Sequence, residues 1–107
     1  MIYKFKSKAS GDVIMMGPSG DQLLGIIGKS PAPSGIVQVA DMTAAVAAIE
    51  KAIALDEAAF EAARKEAEAA GQKLPARDGV SLKQRAWPLL ELLKRSQSGG
   101  ADVVWGV

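Results

Sequence analysis

Apolar residues and lysines alternate at the start of the chain, and this pattern predicts a β-strand. Within Ile2–Ser7, Lys4 lies between Tyr3 and Phe5, and Lys6 follows Phe5. Successive side chains of a strand point to opposite faces. A second apolar run, 13–16, follows a polar link, 8–12, of the length found in hairpins. We therefore expect a hairpin whose lysines lie on a solvated face.

The glycine-rich segment that follows contains Gly-Lys-Ser at 28–30 and raises the question of a phosphate-binding loop. Such a loop requires the spacing G-x-x-x-x-G-K-[ST], but leucine occupies the position of its first glycine. Pro31 also disfavours a helix at the serine before it. We expect instead a short buried helix, with Ser19 and Gln22 as a capping box and Gly28 as its left-handed end.

A stretch rich in alanine and free of proline and glycine, 42–70, predicts a long helix. We expect it to begin at Asp41 or Thr43 and to end at Gly71. At about 1.5 Å per residue it would measure roughly 43 Å, more than the diameter of a small domain. Its apolar residues repeat at helical spacing on one stripe: Met42, Val46, Ile49, Ile53 and Phe60.

The second half of this helix has fewer large apolar residues and two interpretations. It either projects as a solvated arm or bends back near Asp56, which interrupts the apolar stripe. If it projects, Phe60 has nothing within its own chain to cover it. Glu57 and Glu61 share a face and could in principle hold a hard cation, but no oxygen-rich loop accompanies them. We expect a solvated acidic face.

A third helix is predicted from residue 82 to about 96, after a capping box formed by Ser81 and Gln84. Pro88 lies inside it and removes one helical hydrogen bond, so the helix either kinks there or consists of two pieces meeting at Trp87. Two basic residues, 94 and 95, suit its C-terminal dipole. Residues 36–39 form a short edge strand or an extended lead-in, and 102–107 a final strand added to the hairpin.

Composition limits the chemistry that the chain can perform. The chain has 107 residues, 13 Lys and Arg, 12 Asp and Glu, and neither cysteine nor histidine. Disulfides, thiolates and the usual ligands of zinc, copper and haem are therefore absent, as are nucleophile pairs that use histidine. A carboxylate-based enzyme is left open and needs a pocket that gathers two or more acids. We expect no cofactor and no metal site.

The net charge of +1 is unevenly distributed. Residues 1–40 carry four basic and two acidic side chains, 41–71 three basic and seven acidic, and 72–107 six basic and three acidic. An acidic middle between basic ends indicates complementary faces, within one molecule or between copies. Nucleic acid is an unfavoured partner, because a domain that binds nucleic acid is expected to be markedly basic and this chain is not. The candidate residues for contacting nucleic acid are Lys4, Lys6, Lys8, Arg85, Lys94 and Arg95.

Five residues form a possible interaction surface. Tryptophan and arginine are enriched in interaction hot spots, which makes Arg85 and Trp87 candidates, although a tryptophan in a chain with so few aromatic residues is more typical of a core. Phe60, Glu57 and Glu61 are the candidates on the long helix. Trp105 is expected to pack against the sheet.

Three segments, "IYKFKSKASGDVIMMGPSGDQLLGIIGK", "GVSLKQRAWPLLELL" and "DVVWGV", together resemble the domain of unknown function 1840 family, small uncharacterised proteobacterial proteins. The resemblance covers essentially the whole chain, and its "RAWPLLELL" and "VVWGV" parts are the most specific. It implies a single-domain bacterial protein of the cytoplasm. It transfers no catalytic residue, ligand or partner.

The sequence therefore predicts one α+β domain, 1–107, in which a small antiparallel sheet, the hairpin plus the C-terminal strand, packs against two or three helices. Nothing indicates a signal peptide or a membrane span, so cytoplasm is the expected location. The expected function is that of a non-enzymatic interaction or structural protein that self-associates, as a homodimer, through its long helix. The alternative is weak association with nucleic acid.

Overall fold

The computed structural model describes residues 2–72 and 81–106. Four strands and three helices occur within these residues, in the order β1 (Ile2–Ser7), β2 (Ser10–Met16), α1 (Gly17–Ile26), β3 (Gly35–Val37), α2 (Val39–Ala69), α3 (Leu82–Gly99) and β4 (Val103–Trp105). The strands form one antiparallel sheet with the order β2-β1-β4-β3. The predicted α+β class is confirmed.

The inner face of the sheet carries the aromatic part of the core. Tyr3 and Phe5 of β1 and Trp105 of β4 are buried, and the ring centroids of Tyr3 and Phe5, like those of Phe5 and Trp105, are 5.7 Å apart. Strand β4 pairs with β1 and places Trp105 opposite Phe5, as predicted for the C-terminal strand. All three helices contribute buried apolar side chains to the same cluster.

The hairpin link is shorter than predicted. Strand β2 already begins at Ser10, and Ser10 pairs with Ser7, so 10–12 lie in the strand rather than in the link. The register shifts between Phe5 and Ser7. The prediction was wrong because β2 is an edge strand, where polar side chains stay exposed and do not mark a turn.

Helix α1 follows β2 directly and has no side-chain cap. Ser19 and Gln22 lie inside this helix, so the predicted capping box is wrong. Pro18 occupies the first turn, where its fixed φ suits the helix, and the Gln22 side chain instead accepts a hydrogen bond of 2.7 Å from Arg85 Nη1. The predicted left-handed glycine after the helix is confirmed, since Gly28 has φ +81°.

Helix α2 is continuous over its 31 residues, so the bend considered at Asp56 does not occur. Its buried residues, Met42, Ala45 and Ile49, all lie in its first half. Gly71, with φ +72°, follows its end as predicted. The helix gives the molecule a long axis, with principal extents of 52 × 27 × 22 Å.

The start of α2 lies before the predicted residues, Asp41 or Thr43. The edge strand β3 ends at Val37, and Val39 is already helical. The backbone N–H of Val39 donates to Asp102 Oδ1 over 3.0 Å. A carboxylate distant in sequence therefore satisfies one of the N–H groups that the first turn leaves without a helical partner, and local sequence signals misplaced this helix start because they do not report such a contact.

Helix α3 begins with the predicted capping box: Gln84 N–H donates to Ser81 Oγ, and Ser81 N–H donates to the Gln84 side chain. The helix is one element through Pro88 and extends to Gly99, beyond the predicted end. For this reason residues 94 and 95 lie outside its last turn, and the prediction that they neutralise its C-terminal dipole is wrong.

Candidate interaction surfaces

Trp87 and Glu57 border the same groove between α2 and α3. Trp87 is 49% exposed, so it does not take the core position that is more typical of a tryptophan in such a chain. The groove has a volume of about 210 Å³ and an apolar lining that includes Ile53 and Leu90. Its rim carries acids from α2 and lysines from α3. In one such pair, Lys94 Nζ lies 3.7 Å from Glu50 Oε2. The structure thus brings together two of the five predicted residues.

Arg85 lies apart from this groove. Residues two positions apart on a helix do not face each other, and Arg85 is directed towards α1, where it donates to Gln22. Its Nε is buried and has no hydrogen-bond partner among residues 2–72 and 81–106. Arg85 and Trp87 therefore do not form one local pair, which their proximity in sequence had suggested.

Phe60 and Glu61 lie further along α2, in the part that we call the distal half of α2 (residues 54–69). Phe60 is half-buried and so less exposed than a projecting helix had implied. Glu61 accepts hydrogen bonds from Arg64, and Arg64 Nη1 also donates to Glu68 over 2.6 Å. The hydrogen bond from Arg64 lowers the pKa of Glu61, and the same bond raises the pKa of Arg64.

These ion pairs limit what the acidic face of α2 can do. The carboxylate of Glu61 is held by a guanidinium rather than directed with Glu57 at a common point. In residues 2–72 and 81–106, no three His, Cys, Asp or Glu side chains are grouped to hold a metal ion. The distal half of α2 nevertheless exposes a large apolar side chain, since Leu55 is 63% exposed.

The outer sheet face was predicted as a solvated face with lysines, and its apolar residues were not foreseen. It consists of Ile2, Lys4, Lys6, Asp12, Ile14, Met16, Ile36 and Val104. Pairing of the strands sets Ile2 opposite Met16 and Lys4 opposite Ile14. Ile2, Ile14 and Met16 are 62%, 67% and 65% exposed, although the solvated face of an antiparallel sheet is usually polar. On this face, Lys4 Nζ lies 3.6 Å from Asp12 Oδ2.

A signal for this surface was present in the sequence. Residues 13–16, Val-Ile-Met-Met, are four consecutive apolar residues. Because the side chains of a strand alternate between faces, such a run must place apolar groups on both sides of the sheet. The lysines of the neighbouring strand had suggested a purely solvated face.

The six basic candidates for nucleic-acid binding belong to two layers of the fold. Lys4 and Lys6 lie on the outer sheet face, and Lys8 follows β1. Arg85, Lys94 and Arg95 lie on α3, which packs against the inner face. Association with nucleic acid stays a prediction.

None of the described helices is long and apolar enough to cross a membrane.

Comparisons with other proteins identify the family of the chain. No curated protein and no solved structure matches the chain. A family model described as a domain of unknown function, DUF1840, matches residues 1–105. The chain therefore belongs to the DUF1840 family.

Proposed function

We propose that this protein is a non-enzymatic interaction protein that associates with a second copy through the distal half of α2. The observation that carries the proposal is the state of this segment: none of its residues is buried, and Leu55 is 63% exposed. Most helices in proteins are stabilised by packing of an apolar face. A contact between molecules would supply that packing.

Between Leu55 and Ala62, one side of this segment exposes only small or apolar side chains. Alanines recur at three- and four-residue spacing from Leu55, so they share a face with it. The members of this stripe are all exposed: Leu55, Ala58, Ala59 and Ala62. Small side chains allow a partner to approach the helix backbone closely, while Leu55 supplies the apolar anchor.

Charge also favours a second copy as the partner. The distal half of α2 carries five acidic and two basic residues, for a net charge of −3. The whole chain has a net charge of +1, so a basic surface of another copy is available to it. Complementary charges steer association and suppress wrong partners.

Sedimentation velocity over a range of concentrations tests the proposal. We expect the wild-type protein to sediment as a monomer and dimer in exchange, and Leu55→Glu to shift it to monomer, because the substitution places a charge in the contact. Ala47→Glu is the matched control, since it adds the same charge at an exposed position in the first half of α2. Leu55 is a sharper probe than Phe60, which is half-buried within its own chain.

Two results would contradict the proposal. One is a wild-type protein that stays monomeric up to roughly 100 μM, a concentration at which a dimer with a Kd below about 100 μM is substantially populated. The other is an equal loss of dimer in Leu55→Glu and Ala47→Glu, which would assign the effect to added charge rather than to the distal half of α2.

A further inference from the structure

The outer sheet face has the properties of an interface. Its three most exposed apolar side chains, Ile2, Ile14 and Met16, come from adjacent strands and so form one patch. Contiguous apolar patches on a protein surface mark interaction sites, whereas isolated apolar residues do not. The inner face of the same sheet is already covered by α1 and α3.

We infer that the occupant of the outer sheet face is the distal half of α2 from a second copy of the chain, with the contact made twice in a reciprocal dimer. This inference rests on the proposed self-association and adds the surface that receives the helix. Each copy would then form three layers, with its own helices on one side of the sheet and the partner's helix on the other.

Charge distinguishes this arrangement from the two simpler ones. The hairpin that forms most of the outer sheet face carries Lys4, Lys6 and Lys8 against a single acid, Asp12, for a net charge of +2, and the distal half of α2 has −3. Packing two outer sheet faces together would oppose positive surfaces, and packing two distal halves together would oppose negative ones. Like charges across an interface are costly.

Dimensions agree with the same arrangement. The 16 residues 54–69 span about 24 Å as a helix, and strands of six and seven residues, as β1 and β2 are, span roughly 20 to 23 Å. A helix about 10 Å wide lying along them covers roughly 240 Å² on each partner, or roughly 480 Å² on the two together, so two contacts give roughly 960 Å². That area is close to the roughly 1,000 Å² that separates specific interfaces from weak or transient ones, so we expect a weak dimer.

The absence of cysteine from the chain allows a direct test by disulfide trapping. We would prepare Ile14→Cys and Leu55→Cys as separate variants, because both positions are exposed. One of the two variants carries an affinity tag. The two are mixed and oxidised in a glutathione buffer. We expect the mixed disulfide between positions 14 and 55 to form at least tenfold more than in a mixture of Leu55→Cys with Gly25→Cys, whose position on α1 is also exposed.

The outcomes separate the inference from the proposed function. Homodisulfides at position 14 or at position 55 that exceed the mixed disulfide would show packing of like surfaces and overturn the inference while leaving self-association intact. A sedimenting dimer without any disulfide above the Gly25→Cys control would place the interface elsewhere, with the same consequence. A strict monomer in sedimentation would overturn both.

Discussion

At the residue scale, two glycines allow aromatic rings of the core to lie against the backbone. A Cβ at Gly20 of α1 would overlap the ring of Tyr3, and a Cβ at Gly35 of β3 would overlap the indole of Trp105. The indole N–H also donates to the carbonyl of Ala32 over 3.0 Å. Glycine at these positions is therefore required by close packing, and not by an unusual backbone angle.

Gly20→Ala is expected to lower the free energy of unfolding by up to roughly 2 kcal/mol. Alanine favours a helix over glycine by about 1 kcal/mol, but Tyr3 is almost fully buried and overpacking a core costs about 1 to 3 kcal/mol. Gly25→Ala is the control in the same helix, because its Cβ would meet no atom within 4 Å. Urea denaturation measures both, and equal stabilisation by the two changes would refute the packing argument.

Tyr3 gives the protein a dependence on alkaline pH. Its hydroxyl donates to Asp21, and this hydrogen bond, with burial and the charge of Asp21, raises the pKa of Tyr3 from 10.0 to about 12. Between these two values the folded chain keeps a proton that the unfolded chain releases. The stabilisation is therefore complete below about pH 10 and is lost as the pH rises through about 12.

The ultraviolet absorbance of tyrosinate reports this directly, because Tyr3 is the only tyrosine. At about pH 11 we expect little tyrosinate in the folded protein and mostly tyrosinate in concentrated urea. Tyr3→Phe is expected to be less stable at neutral pH and to lose less further stability between about pH 10 and 12. A wild-type protein that ionises equally in both states would contradict this account.

At the scale of elements, the start of α2 is stabilised by a residue that lies far from it in sequence. Asp102, just before β4, accepts the hydrogen bond of the Val39 N–H at the start of α2. Asp102→Ala is expected to lower the free energy of unfolding by about 1 kcal/mol, the usual effect of removing a helix cap, and to speed amide exchange at Val39. Asp102→Asn keeps an acceptor and should retain most of the stability; an equal loss in both would exclude the cap as the cause.

The same element shows what could be predicted from sequence and what could not. The absence of proline and glycine predicted the existence and length of α2, and Gly71 predicted its end. Its start was misplaced because the cap comes from Asp102, and no local pattern reports a contact over that distance in sequence. The capping box of α3 was found because both of its members, Ser81 and Gln84, are local.

The candidate surfaces, too, were predictable from the sequence only in part. Trp87 and Glu57 were identified by residue type, but only the packing of α2 against α3 shows that they border one groove. The outer sheet face required the strand register, since Ile14 and Met16 are exposed only because their neighbours Val13 and Met15 face the core.

At the scale of the whole molecule, shape and charge together favour assembly. The radius of gyration is 15.9 Å, whereas about 13 Å is typical of a compact chain of this length. The excess comes from α2, whose second half contributes no buried residue. An elongated monomer with an acidic extension and a basic, apolar sheet face has two complementary surfaces exposed to solvent.

The self-association prediction belongs to this scale, because no single contact decides it. We expect Leu55→Glu to raise the dissociation constant of the dimer at least tenfold, or about 1.4 kcal/mol, since a charge without a partner would lie within the contact. The measurement is the concentration dependence of sedimentation, with Ala47→Glu as reference.

The position of β4 in the sheet has a consequence for biosynthesis. This strand lies between β1 and β3, yet its residues, Val103–Trp105, are translated after all the other described elements. While the ribosome is still adding α3, the hairpin and β3 therefore have no strand to join them, and Trp105, the ring that packs on Phe5, has not been made. The sheet closes only when translation reaches these residues, so the pairing of all four strands cannot precede the synthesis of α3.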